Sequence, residues 1–301
     1  MKLQQLPATH KTTIILIGAI FVLGILGYFG YQKFTSQKNT PAEEVDLAFD
    51  GEGPFAILSP RRDGNALVLN LKRTASYDAI TYELAYTSKT EEVAMEGTKI
   101  KSTSGDGEGG ATSGVIDRGV QGKIDTKDKK GEYEQEILFG TCSKNVCKYD
   151  KGVENGTLTL HIRKRDKAYK MVTLWHLQKP VIALGSLSSG DGHLIYKVNA
   201  DRATLTNIGF SIINDLSGAP KLPYGKEVLG KVYALNAPIA KDVPQGDVSL
   251  ELAQNPSSEA KIYRYDLNKT AWQALDTKID GSKLSAKADG AGIFAVLTNK
   301  K

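Results

Sequence analysis

Apolar and polar residues alternate along most of the chain after its first 45 residues. An alternation with period two is typical of half-buried β-strands, and it is clearest at residues 67–71, 80–86 and 157–162. Gly-containing pairs predict turns between such stretches. They are Asp63-Gly64, Asn155-Gly156, Asp191-Gly192, Asp280-Gly281 and Asp289-Gly290. No stretch after residue 31 shows a sustained helical period, so the body is predicted to be all-β.

The predicted fold is two antiparallel β-sandwich domains after one N-terminal transmembrane helix. The first sandwich spans residues 46–182 and the second spans residues 190–301, because the Gly- and Ser-rich segment "ALGSLSSGDGH" at 183–193 indicates a boundary. A long mobile loop is predicted at about 88–119, where Gly, Ser, Thr and charged residues leave little to bury. The "GDGEGG" motif of this loop has too few carboxylates for a calcium loop.

Residues 12–31, "TTIILIGAIFVLGILGYFGY", form an uncharged run of 20 residues. A helix of that length rises about 30 Å, the thickness of the hydrocarbon core of a bilayer. This predicts a transmembrane anchor, with residues 1–11 in the cytoplasm and residues 32–45 as a polar stalk. The alternative is a cleaved signal peptide, which has a shorter apolar segment and ends at a small-x-small site such as Ala-x-Ala.

The charges that flank the anchor do not fix its orientation. Lys2 and Lys11 precede it, and Lys33 and Lys38 follow it, so the positive-inside rule gives a tie. These four lysines also carry most of the net charge of +5, because the remainder of the chain has 39 − 4 = 35 basic and 34 acidic residues. A nearly neutral body disfavours nucleic acid as a partner.

Two cysteines, Cys142 and Cys147, are separated by four residues and flank turn residues "SKN". Opposed positions of a hairpin bring Cβ atoms close enough for a disulfide after modest adjustment. We therefore predict a disulfide, which places residues 41–301 outside the cytoplasm. Two alternatives are a pair of free thiols and half of a zinc site, although the spacing of the histidines is unlike that of common zinc sites. The histidines are His10, His161, His176 and His193.

A basic stretch, "HIRKRDKAYK", follows the strand pattern at 157–162. One interpretation is the solvated tip of a hairpin, and the other is a patch for an anionic polymer or lipid headgroup. The cations of this patch are Arg163, Lys164, Arg165, Lys167 and Lys170. The two tryptophans, Trp175 and Trp272, lie in apolar strands, so packing in a core is favoured over stacking on sugars.

The C-terminal part of the chain resembles the β-sandwich shared by netrin receptors, zonula occludens proteins and ankyrins. The resemblance rests on residues of the core and turns, which are Val232, Tyr233, Val248, Leu250, Leu252, Ile262, Tyr263, Tyr265, Asp266, Trp272, Leu275, Phe294 and Ala295. It implies a fold and brings no catalytic residues with it. The segment "AITYELAYT" gives the first sandwich an immunoglobulin-like look, and the whole chain resembles single-pass bacterial envelope proteins.

No motif for a catalytic site rises above chance. The chain contains no G-x-S-x-G and no H-E-x-x-H, so no catalytic, cofactor-binding or metal-binding residue is predicted, and no cofactor. The function expected is that of a membrane-anchored extracytoplasmic structural or binding protein, with an envelope protein or polysaccharide as partner. The alternative from another class is an anchored hydrolase that acts on cell-wall polymer or protein.

Overall fold

The structure is a computed structural model that describes residues 43–73, 77–89, 114–127, 131–144, 146–239 and 241–300. The predicted anchor at residues 12–31 and the "GDGEGG" motif lie outside these residues. Glu44–Lys301 form one compact unit. Within the described ranges, no helix is both long and apolar enough to cross a membrane.

The described part of the chain is almost entirely β-structure, which confirms the predicted class. Its helix, α1, is Arg202–Ile208, and Asp201 caps it by accepting a hydrogen bond from the backbone N of Thr204. The strands are β1 (Glu44–Asp46), β2 (Phe55–Pro60), β3 (Ala66–Lys72), β4 (Ala79–Lys89), β5 (Val115–Ile124), β6 (Tyr133–Leu138), β7 (Gly140–Ser143), β8 (Val146–Tyr149), β9 (Asn155–Lys164), β10 (Lys167–Gln178), β11 (Ser186–Ser188), β12 (Leu194–Val198), β13 (Ser211–Leu216), β14 (Lys226–Asn236), β15 (Gly246–Glu251), β16 (Lys261–Asp266), β17 (Ala271–Ala274), β18 (Thr277–Asp280), β19 (Lys283–Ala288) and β20 (Gly292–Asn299).

A main sheet of ten strands runs through the whole unit. Its order is β17-β16-β20-β14-β13-β10-β9-β4-β5, and β1 pairs with β10 in addition. The neighbouring strands β10 and β13 come from the two sides of the boundary expected at residues 183–193. The two halves therefore share one sheet, which speaks against two independent sandwiches. That division stays a prediction from the sequence.

Two smaller sheets cover opposite faces of the main sheet. The three-stranded sheet β2-β3-β6 packs against β4, β9 and β10, and the five-stranded sheet β11-β12-β15-β19-β18 packs against β13, β14 and β20. Successive residues of a strand point to opposite faces, and this explains why neighbouring Ile212 and Ile213 belong to different cores. A third cluster joins Phe55 and Ile57 of β2 to β13, β14 and β20.

Two buried asparagines of the main sheet form hydrogen bonds with the backbone of β2, along the edge that faces away from β3. Asn214 accepts a hydrogen bond from the backbone N of Leu58 at 3.1 Å and donates one to the carbonyl O of Ala56 at 2.8 Å. Asn236 donates to the carbonyl O of Leu58 at 3.0 Å. Because β2 is the last strand of its small sheet, these side-chain amides take the place of a further strand.

Four local predictions need correction. The loop expected at 88–119 is shorter, because Lys89 pairs with Val115 and the strands β4 and β5 extend into it from both sides. Asn155-Gly156 is not a turn but the start of β9. The stalk expected to reach residue 45 ends earlier, since Glu44 already pairs with Ala168. The boundary segment at 183–193 is also no simple linker, because it contains β11, which pairs with β12.

Replacement of Asn214 by Leu tests whether the asparagine pair holds β2. The variant leaves a buried N–H and a buried C=O without partners, and each such group costs about 1–3 kcal/mol. We expect the free energy of unfolding to fall by about 2–5 kcal/mol in chemical denaturation. The control is Asn70→Leu on β3, where the side chain is half-buried and makes no hydrogen bond among the described residues. Equal, small losses in both variants would contradict the role of Asn214.

Candidate functional site

A groove of about 520 Å³ lies over β9 and β10. Its lining includes Trp175, which pairs with Gly156 across the two strands and packs its side chain in the core. A Cβ atom at Gly156 would lie 2.3 Å from the indole ring, so only glycine leaves room for the tryptophan. Asp117 and Arg118 of β5 line the rim, and Leu174, 41% exposed, adds an apolar wall.

Hydrogen bonds hold the rim of the groove. Tyr86 donates its hydroxyl to Asp150 at 2.7 Å, and Arg118 lies 3.5 Å from the same carboxylate. Burial and the bond to Asp150 raise the pKa of Tyr86, so its hydroxyl stays a donor. Trp175 is 1% exposed, and its Nε1 has no hydrogen-bond partner among the described residues. The groove thus combines an exposed apolar side chain, Leu174, with a charged rim, while the indole N–H lies buried in the core.

A second cavity, of about 510 Å³, lies near His176 at the end of β10. Burial lowers the pKa of His176, and its Nδ1 lies 3.0 Å from the carbonyl O of Ser188. A neutral ring that donates from Nδ1 keeps Nε2 as a free acceptor. Asp150 and Glu154 line the same cavity. Such a ring could accept a proton from a bound molecule.

The structure offers no metal centre among the residues it describes. They contain no group of three or more His, Cys, Asp or Glu side chains that could hold a metal ion. His161 contacts Glu44 at 2.7 Å, and both cysteines are in a disulfide. The zinc alternative for the cysteines is therefore wrong.

A network of charged groups surrounds Asp191 in the boundary segment. Asp191 accepts hydrogen bonds from Ser189 at 2.6 Å, Lys231 at 2.9 Å and Tyr233 at 2.9 Å. Burial raises the pKa of the carboxyl, but these donors outweigh burial and hold that pKa below its ordinary value. Asp215 lies on the far side of Lys231, and burial raises its pKa. Two of these donors, Lys231 and Tyr233, belong to β14. The hydrogen bonds of Asp191 therefore link the boundary segment to β14.

The basic residues predicted from the sequence lie around the hairpin between β9 and β10. Four of them, Arg163, Lys164, Arg165 and Lys167, are exposed at its tip, and Lys170 is half-buried further along β10. Arg165 has a positive φ of 56° in the turn, and its backbone N donates a hydrogen bond to Asp78. The hairpin tip and the groove lie at opposite ends of the same two strands.

The cysteines form the predicted disulfide across the hairpin of β7 and β8. Cys142 and Cys147 are direct partners in the register of the two strands. The turn between the strands contains Lys144 with a positive φ of 48°. The bond links the two strands of a tight hairpin, so we assign it a structural role.

Sequence reasoning missed the groove. It assigned Trp175 to a core, which the burial confirms, but it read Gly156 as a turn residue. Asp117 and Arg118 fell inside the predicted loop. The one available signal was a glycine at the start of an alternating strand, since such a glycine often marks a close approach by another group.

Comparisons with known proteins give no relative that would assign a function. No family model matches the chain, and no curated protein matches it. Among solved structures, the crystal structure of dimeric latent PorU from Porphyromonas gingivalis is similar over 86% of this chain and 30% of that chain. The identity is 10% and the TM-score 0.19, a likeness too weak to carry an argument.

Replacement of Asp191 by Asn tests the network by its dependence on pH. A carboxyl group whose pKa is lower in the folded than in the unfolded state stabilises the fold at any pH above its unfolded pKa of about 3.9. This stability is lost as the pH falls through the pKa of the folded state. We expect the variant to be less stable at pH 7 by about 1.5–3 kcal/mol, because bonds to a charged group are lost. The difference from the native chain should shrink in acid.

The control for Asp191 is Asp280→Asn at the exposed end of β18, which should change stability by no more than about 0.5 kcal/mol. Denaturant unfolding at several pH values measures both variants. A difference between Asp191→Asn and the native chain that stays constant from neutral pH to the most acidic pH would contradict the assignment.

Replacement of both cysteines by serine tests the structural role of the disulfide. In the chain-entropy model, the bond across so short a loop contributes about 2 kcal/mol, and we expect that loss in the free energy of unfolding. Reduction of the native chain with dithiothreitol should lower the free energy of unfolding by the same amount. A reduced chain as stable as the oxidised one would contradict the prediction.

Proposed function

We propose that the chain is a membrane-anchored, extracytoplasmic binding or scaffold protein of the cell envelope. The observation that carries the binding role is the groove over Trp175. A concave site with an apolar wall, here Leu174, and a few polar groups on its rim is the usual form of a binding site.

An envelope protein suits the groove better than a polysaccharide does. Trp175 is too deeply buried to stack flat on a sugar ring. The neighbouring strand β5 is the last strand of the main sheet, and within the described ranges no strand pairs with its outer edge. Its first residue, Val115, is 66% exposed. An extended polypeptide segment could add to such an edge by main-chain hydrogen bonds.

The extracytoplasmic location is supported by two features from different parts of the chain. The uncharged run at 12–31 is long enough to span a bilayer. Cys142 and Cys147 form a disulfide, and disulfides persist in oxidising compartments outside the cytoplasm. Together they favour an anchor with its N-terminus inside and the body outside.

The finer fold assignment is also a proposal. We place the C-terminal half with the β-sandwich of netrin receptors, zonula occludens proteins and ankyrins. Most of the residues that carry this resemblance lie on the strands β14–β17 and β20. Tyr233 and Phe294 are buried in the same core, as that pattern expects of its strand residues.

An anchored hydrolase is the second candidate, because His176 lines a cavity together with Asp150 and Glu154. A neutral histidine with a free Nε2 is able to act as a general base. The described lining of this cavity includes no serine, threonine or cysteine, and water activated by His176 is the nucleophile that this candidate uses. Release of soluble fragments from cell-wall polymer or protein, lost in His176→Gln, would favour this candidate over the binding protein.

Protease treatment of intact cells tests the proposed location. We expect residues 41–301 to be digested while a cytoplasmic marker survives, since the body lies outside. N-terminal sequencing of the membrane-bound chain separates an anchor from a signal peptide. Survival of both the body and the marker would contradict the orientation, and a chain that begins after Gly30 would show cleavage.

A further inference from the structure

The tip of the β9–β10 hairpin carries uncompensated positive charge. Arg163, Lys164 and Lys167 are exposed and make no ion pair with any described residue. Two acids lie at this tip. Asp166 is in the turn itself, and Asp78 accepts a hydrogen bond from the backbone N of Arg165. With Arg165, four cations stand against two acids, a net charge of 4 − 2 = +2 on a single turn.

The described chain enters the body beside this tip. Glu44 of β1 pairs with Ala168, and Asp46 pairs with Lys170, in a parallel arrangement. Because β10 runs away from the tip and β1 runs in the same direction, Glu44 is at the end of β1 that is nearer to the tip. The carboxylate of Glu44 contacts Nδ1 of His161 at 2.7 Å, so it does not neutralise the cations at the tip.

The length of the intervening chain limits how far the tip can lie from a membrane. Twelve residues, 32–43, connect the end of the predicted anchor to Glu44. Fully extended, they span at most about 43 Å. A short tether of this kind gives the tip a high effective concentration at the membrane surface, so weak contacts there are sufficient for docking.

We infer that the hairpin tip docks on the anionic lipid headgroups of the membrane that holds the anchor. The inference rests on the proposed function, because it needs the anchor at residues 12–31. Headgroup phosphates are the anions nearest to a tethered tip, and each Lys or Arg near an anionic surface strengthens the contact about fivefold. Docking orients the body, with the tip toward the lipid.

A fluorophore at the tip of the full chain tests the docking. The chain has two cysteines, both in the disulfide, so Asp166→Cys introduces the one free thiol for a bimane label. The labelled chain is reconstituted into vesicles that contain a lipid-borne quencher. One set of vesicles mixes phosphatidylglycerol with phosphatidylcholine, and the other contains phosphatidylcholine alone.

We expect strong quenching at the tip in the anionic vesicles and little in the neutral ones. The matched label is Asp280→Cys, which lies at the exposed end of β18, next to another hairpin turn, and should stay unquenched in both. Replacement of Arg163, Lys164 and Lys167 by Gln should weaken the contact on the order of a hundredfold. Replacement of three exposed lysines of the five-stranded sheet should leave it unchanged. These lysines are Lys278, Lys283 and Lys287.

Flotation of the same vesicles separates the two proposals. A chain that does not float with either kind of vesicle has no anchor, and the proposed function fails. A chain that floats while the label at residue 166 stays unquenched overturns the docking alone. Equal quenching in anionic and neutral vesicles, or no effect of the triple Gln variant at the tip, also overturns it.

Discussion

The structure depends on how the free edge of β2 is satisfied. This edge is buried between two sheets, where an unpaired N–H or C=O would cost several kcal/mol, and no strand in the described part of the chain pairs with it. The amides of Asn214 and Asn236 supply the missing partners from the surface of the main sheet. Arg73 adds a second tie, because its guanidinium donates hydrogen bonds to the carbonyl O atoms of Gly53 in the first half and of Ala219 in the second.

These bonds join the parts of the chain that the sequence suggested were separate. Asn214 and Asn236 belong to strands of the second half, and β2 belongs to the first. Phe55 and Ile57 of β2 pack on the same face of the main sheet as the two asparagines do. The three-stranded sheet thus covers β4, β9 and β10 while its edge is fixed to β13 and β14.

A continuous main sheet also relates the two surfaces that we associate with function. The pair Trp175 and Gly156 lies eight residue pairs along β9 and β10 from the pair Lys167 and Lys164. At about 3.3 Å per residue, the groove and the hairpin tip are about 26 Å apart. In the proposed orientation, the tip rests on lipid and the groove faces away from the membrane, accessible to a partner in the envelope.

Features with local causes could be predicted from the sequence. The alternation at 67–71, 80–86 and 157–162 gave strands that exist, and the short spacing of the cysteines gave a disulfide. Long-range features could not be predicted. Asn214 lies 156 positions from Leu58, and nothing near either residue marks the bond. Gly156 follows an asparagine, a local turn signal, but the tryptophan on the neighbouring strand requires an extended glycine there.

The bounds of the predicted stalk and of the predicted loop also depend on long-range pairing that the local sequence does not reveal. Glu44 and Asp46 have no strand pattern of their own, and β10 supplies the pairing that makes them a strand. Lys89 and Val115 border a polar segment, yet they pair with each other. The groove has residues from four strands and the boundary segment, so no single stretch of sequence could reveal it.

Native-state hydrogen exchange of the full chain tests most directly the claim that the two halves are one cooperative unit. The amide of Leu58, bonded to Asn214, reports on β2, and the amide of Tyr233 reports on the second half. If the edge of β2 holds the halves together, both amides should exchange with the same opening free energy and the same dependence on denaturant. Exchange of Leu58 at a markedly lower free energy than Tyr233 would show that the halves open separately and would contradict the account.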